Sequence, residues 1–255
     1  MLMTRFPINR TRRATAKLLG SPYAMHAAIA GSFPTPSSNP EPGTRPLWRV
    51  DTNPSGDTWL YIVSATAPSL VGLDEQIGWP DLQPQWITRD YGPFLNRLAA
   101  GQEWAFRLVA NPVHAVSAHA TSDRRSRRSA HVTAVQQASW LIGRDAYADQ
   151  AAIEVSPDAP PTEESRSARH GFQVSRDQAG IPQLIVSNRR RWEFKRMAAD
   201  RHPITLNTAQ FDGVLEVTDA ASLRHALVRG IGHGKAFGCG LLTLAPPTAT
   251  PGGQM

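Results

Sequence analysis

A single cysteine, Cys239, occurs in 255 residues. This excludes an intrachain disulfide and any zinc site built from cysteines of this chain alone, and it suits a reducing compartment. Lysine is almost as scarce: Lys17, Lys195 and Lys235 are the only ones, and the remaining basic residues are all arginine. No apolar run approaches the ~20 residues needed to span a bilayer, and no apolar stretch follows the basic start in the manner of a secretion signal. These absences point to the cytoplasm. Nor does any grouping of His, Asp, Glu and Cys have metal-ligand spacing; His114 and His119 read more simply as surface residues, and no cofactor is expected.

What is present is a core and a charge. With 41% hydrophobic residues the chain can bury a core. Its length is comfortable for two small domains. The formal charge of +6 favours a polyanionic partner, because arginine and lysine neutralise phosphates and release counterions. A merely basic soluble protein is equally compatible with that total. Arginine adds forked contacts to phosphates and guanine edges.

Hydrophobic periodicity sketches the elements. Met1–Ile8 predicts a strand, followed by a basic stretch with Arg10, Arg12 and Arg13. Ser21-Pro22 starts a helix from Tyr23 to about Ala30, ended by Gly31, with Met25, Ala28 and Ile29 buried. Leu47–Val50 and Trp59–Val63 predict strands, whereas Pro68–Pro93 reads as irregular and as the approach to a domain boundary. Glu103–Ala110 restarts the pattern, then a basic turn, then a helix opened by the capping-box spacing of Thr133 and Gln136. Asp158–Arg169 reads as an exposed insertion. Further strands are expected at Leu184–Ser187, Arg191–Met197, Ile204–Ala209 and Val214–Val217. Asp219 caps a last helix, Ala220–Val228, before a glycine-rich loop and a strand at Leu241–Leu244. The mixture predicts an α+β fold with antiparallel sheets. Residues 1–95 and 96–246 form its two domains, and 247–255 a tail.

Gly230-Ile-Gly-His-Gly-Lys-Ala-Phe-Gly-Cys-Gly240 holds five glycines in eleven residues. Such density lets backbone N–H groups approach a phosphate, or serves close packing alone. The order helix, loop, strand is the reverse of a mononucleotide-binding loop. Together with the preceding Phe211-Asp-Gly-Val-Leu-Glu-Val-Thr-Asp219 and the following Leu-Leu-Thr-Leu-Ala-Pro246, this loop resembles the carboxy-terminal signature of the CasE family. That family comprises the precursor-crRNA endoribonucleases of type I-E CRISPR systems. Phe106-Arg-Leu-Val-Ala-Asn-Pro112, Ala138-Ser-Trp-Leu141 and Tyr23-Ala-Met-His26 extend the resemblance over most of the chain; 156–180 has no clear counterpart. The resemblance implies two tandem ferredoxin-like domains, metal-independent cleavage of CRISPR repeat RNA at a hairpin base, and assembly into Cascade with the crRNA hairpin retained.

Tyr23 and His26 stand at i and i+3 near a helix N-terminus, where a phosphate is favoured. Histidine can exchange protons near neutral pH, and a tyrosine hydroxyl can orient a phosphate; either residue could also be simple packing. The resemblance assigns catalysis to His26. Some relatives carry a further cation about five residues on, where this chain has Gly31 and Ser32, so that charge would come from Lys235 or an arginine, or the stabilisation would be weaker. RNA contacts are expected from Lys195 and Arg196, matched to a basic pair on the family's RNA-reading hairpin. Arg189, Arg190 and Arg191 could extend them, and Arg124, Arg125, Arg127 and Arg128 could clamp phosphates; each set could equally be a solvated charge run. Gly232, His233, Gly234 and Lys235 are the expected backbone contacts in the loop, and Cys239 a packing residue. A non-catalytic RNA-hairpin-binding subunit and a DNA-binding regulator are the competing classes.

Overall fold

The computed structural model describes residues 1–34, 45–81, 83, 85–116, 127–143, 165–195 and 203–247. The chain divides into two compact units: Met1–Arg97 with Trp192–Leu206 and Val228–Leu241, and Leu98–Arg191 with Asn207–Leu227 and Leu242–Met255.

In the first unit the elements are β1 (Leu2–Ile8), α1 (Arg13–Leu19), α2 (Pro22–Ala30), β2 (Leu47–Thr52), β3 (Thr58–Ser64), α3 (Val71–Ile77), β4 (Ile87–Asp90) and α4 (Gly92–Asn96). The strands form an antiparallel sheet in the order β2-β3-β1-β4. Period-2 alternation sets its faces. Thr4, Phe6 and Ile8 of β1 pair with Ile62, Leu60 and Thr58 of β3, and all six are buried. On the opposite face Arg5 lies over the Trp59 ring, 4.3 Å from its centroid. Met25 and Ile29 of α2, Leu18 of α1, and Leu73 and Ile77 of α3 complete the core. Each such side chain contributes roughly 1.5–3 kcal/mol when fully buried.

The second unit continues with β5 (Glu103–Ala110), β6 (Val113–Val116), β7 (Arg127–Ala130), α5 (Ala134–Ile142), α6 (Arg166–Arg169), β8 (Phe172–Val174), β9 (Leu184–Phe194), β10 (Ile204–Val217), α7 (Ala220–Arg229) and β11 (Leu242–Ala245), except that Trp192–Phe194, Ile204–Leu206 and Val228–Arg229 belong to the first. Its main sheet runs β11-β5-β10-β8, antiparallel, with β9 also on β10. Phe106, Leu108, Phe211, Leu215 and Phe172 bury there with Leu223 and Leu227 of α7. Taking β5, β8, β10 and β11 as first to fourth, both sheets have the same spatial order, second-third-first-fourth.

The fold is therefore α+β with antiparallel sheets, as expected. Several elements differ. Pro68–Pro93 holds α3, β4 and the start of α4 rather than irregular chain, and the basic stretch after β1 runs into α1. The four short strands expected between 184 and 217 are two long ones. Gly213, between the expected strands Ile204–Ala209 and Val214–Val217, lies inside β10, where a Cβ would clash with the Gln183 carbonyl oxygen. A glycine within a strand can mark close backbone approach instead of a break. Part of the expected insertion, Asp158–Arg169, is the short helix α6; its residues up to 164 lie outside the described residues. No helix among the described residues is long and apolar enough to cross a membrane.

Candidate functional site

Helix α2 begins where Ser21 accepts a hydrogen bond from the Ala24 N–H (3.2 Å) through its hydroxyl, with Pro22 in the first turn. It stops at Gly31, and Ser32 turns its hydroxyl back onto the Ala28 carbonyl. Met25 and Ile29 face the core. Tyr23 and His26, one turn apart, are half-buried.

The glycine loop lies in the same unit as α2. Lys235–Phe237 form a 3-10 turn between Gly234 and Gly238, both left-handed at φ 82° and 80°. Three successive residues of β2 hold this loop. Leu47 packs on Gly230, where a Cβ would come within 2.9 Å of its side chain. Trp48 donates its indole N–H to the Ala236 carbonyl (3.2 Å), and its ring lies 2.8 Å from where a Cβ on Gly238 would stand. Arg49, 2% exposed, donates to the Leu241 carbonyl (2.8 Å) and makes a forked pair with Asp51, both bonds 2.7 Å. The glycines thus serve left-handed backbone and close approach to β2.

Held in this way, the loop carries Phe237 to α2. The Phe237 and His26 rings meet edge to face, with centroids 5.8 Å apart and planes at 72°. Phe237 also meets Phe194, at the end of β9, with centroids 4.9 Å apart and planes at 70°. The Lys235 ammonium donates to the Arg229 carbonyl (2.7 Å) at the end of α7, where a cation is favoured. Burial, then the charges of Arg229 and Arg45, lower its pKa. Burial pushes the Cys239 thiol up to about 12, so it remains a protonated packing group.

Tyr23, His26, Lys195, Gly232, His233, Gly234 and Lys235 all fall in the first unit. Lys195 and His233 are exposed. Trp192 and Phe194 are half-buried while Glu193 and Lys195 are exposed, as strand alternation requires. Arg189, Arg190 and Arg191 are exposed on the part of β9 that belongs to the second unit. Arg127 and Arg128 lie on β7, with side chains outside the described residues; Arg124, Arg125, Arg196 and His119 are outside them altogether. Among the described residues no three or more His, Cys, Asp or Glu gather so as to hold a metal ion. Sequence reasoning missed Trp48, Arg49 and Phe237. The signal for Arg49 was legible: a charged residue in an apolar strand with Asp51 two positions on, on the same face.

A family model described as CRISPR associated protein matches residues 1–246. The CRISPR-associated endoribonuclease Cse3 of Thermus thermophilus is 28% identical over 251 residues, covering 96% of this chain and 100% of that one. The Cascade subunit CasE of Escherichia coli K12 is 49% identical over 41 residues, 16% of this chain and 21% of that relative. Among solved structures, a CRISPR endoribonuclease Cse3 bound to a 19 nt RNA matches with a TM-score of 0.69 at 25% identity, over 96% of this chain and 100% of that one.

Proposed function

The chain belongs to the Cse3/CasE family of CRISPR-associated proteins, and on that premise we propose that it is a metal-independent endoribonuclease. It cuts CRISPR repeat RNA at the base of a hairpin and remains on the mature crRNA as a cytoplasmic Cascade subunit. The observation that carries this reading is His26: a half-buried imidazole on a capped helix, against a loop that β2 holds in place. We read both sheets, with their shared strand order, as ferredoxin-like domains.

In this mechanism the 2′-oxygen bonds to the adjacent phosphorus as the P–O5′ bond breaks. The 2′-hydroxyl gives up its proton and the departing O5′ takes one, leaving a 2′,3′-cyclic phosphate and a 5′-hydroxyl. His26 exchanges the proton and Tyr23 orients the phosphate. Lys195, Arg196, the arginines at 189–191 and 124–128, and the Gly232–Lys235 loop hold the RNA backbone.

A deoxyribose at the nucleotide upstream of the cut should abolish cleavage while leaving binding intact, and EDTA should leave the rate unchanged. Cutting of the deoxy RNA at the normal rate would overturn the mechanism. One observation favours a binding-only subunit: α2 and its caps carry no cation, and the Lys235 ammonium is engaged at Arg229. Full retention of cleavage by His26→Ala, or no cleavage by the wild type, would support it.

A further inference from the structure

Phe237 belongs to neither the proposed catalytic pair nor the proposed RNA contacts, yet it is the ring that meets His26. Its placement is over-determined. Left-handed glycines flank its 3-10 turn, Trp48 fixes the turn by a hydrogen bond to Ala236 and by packing on Gly238, and Phe237 donates its own N–H to the Gly234 carbonyl (2.8 Å). Phe194 packs edge to face against the same ring. The result is a chain of three aromatic rings, His26–Phe237–Phe194, drawn from α2, the glycine loop and the end of β9.

We infer that Phe237 is a positioning residue for His26: its ring confines the imidazole to the orientation that proton exchange requires, and Phe194 backs it. This rests on the catalytic reading of His26. An imidazole on a helix has two rotatable side-chain bonds, and a ring packed edge to face against it restricts both. Catalysis is sensitive to such confinement, since a misplacement of about 1 Å can cost ~10²-fold in rate. Phe194 immediately precedes Lys195, so the ring packed on Phe237 and a proposed RNA contact are neighbours along the chain.

The test is single-turnover cleavage of repeat RNA by wild type, Phe237→Leu, Phe237→Tyr, Phe194→Leu and His26→Ala, with RNA affinity and melting temperature measured on each. Phe237→Leu should lower the cleavage rate about 10-fold with affinity within about 2-fold. Phe237→Tyr, which keeps the ring, should restore most of the rate, and Phe194→Leu should show a smaller loss of the same kind. Wild-type rate in a folded Phe237→Leu, while His26→Ala is inactive, would overturn the positioning role and leave the nuclease reading standing. Equal loss in the Leu and Tyr variants would also overturn it. Should His26→Ala cut like wild type, the nuclease reading itself fails. If Phe237→Leu does not fold, Phe194→Leu and Phe237→Tyr decide the matter.

Discussion

Helices α2 and α5 follow the first strand of two sheets with the same spatial order, but they use their faces differently. On α5, Gln137, Ala138, Trp140 and Leu141 are all buried, and the Trp140 ring meets Phe211 at 5.8 Å. On α2 only Pro22, Met25 and Ile29 are buried, leaving Tyr23 and His26 half-accessible. The ion pairs show the reverse contrast. Arg49–Asp51 is enclosed, with side chains 3% and 12% exposed, whereas Arg107–Asp212 in the second unit is 36% and 28% exposed. One topology supports a scaffold in one place and candidate chemistry in the other, so function has to be read from side chains.

Substitutions can break this comparison. The largest contrast is expected on the two helices: His26→Ala should slow RNA cleavage by roughly 10²–10⁴-fold, while Ser139→Ala on α5 leaves it unchanged. A similar loss in both would mean that the assay reports folding rather than chemistry. Next come the ion pairs. Arg49→Ala removes the forked partner of the largely enclosed Asp51 carboxylate and should cost about 3–5 kcal/mol in urea unfolding, against roughly 0–1 kcal/mol for Arg107→Ala. Two left-handed glycines sharpen the point. Gly238→Ala adds a clash with Trp48 to its backbone strain and should cost about 2–4 kcal/mol. Gly101→Ala, at φ 82° with open space around it, should cost about 1–2 kcal/mol.

A further effect of about 1 kcal/mol is a pH slope from one thiol of the first unit. The Cys239 thiol is pushed up to about 12 in the folded chain and titrates near ~8.5 when unfolded. Between those values the unfolded state has released a proton that the native state keeps, so stability falls as pH rises. Raising pH from ~8 to ~9.5 should cost about 1 kcal/mol from this thiol. Cys239→Ala, followed by the same denaturation measurement, should flatten that part of the slope.

Locally encoded features were legible in the sequence. Ser21-Pro22 and Gly31 bound α2, Thr133 and Gln136 form the expected capping box, and Asp219 accepts hydrogen bonds from the Ala221 and Ser222 N–H groups to start α7. The glycine-rich loop was legible as a motif, but its conformation depends on Leu47, Trp48 and Arg49, far away along the chain. The long strands were missed because Asn188 and Gly213 resemble turn residues. Asn188 does adopt φ 45°, yet pairing carries β9 on through it. Tertiary contact overrode local preference at both places.

The bond from Arg49 to Leu241 spans 192 residues. At about 5–20 residues per second on a ribosome, roughly 10–40 s separate the emergence of those two partners. During that interval the nascent first sheet lacks the acceptor for Arg49 and the cover for Trp48. Strand β2 thus waits for residues made much later, and a translation product arrested before Leu241 presents an unfinished seam to chaperones and proteases.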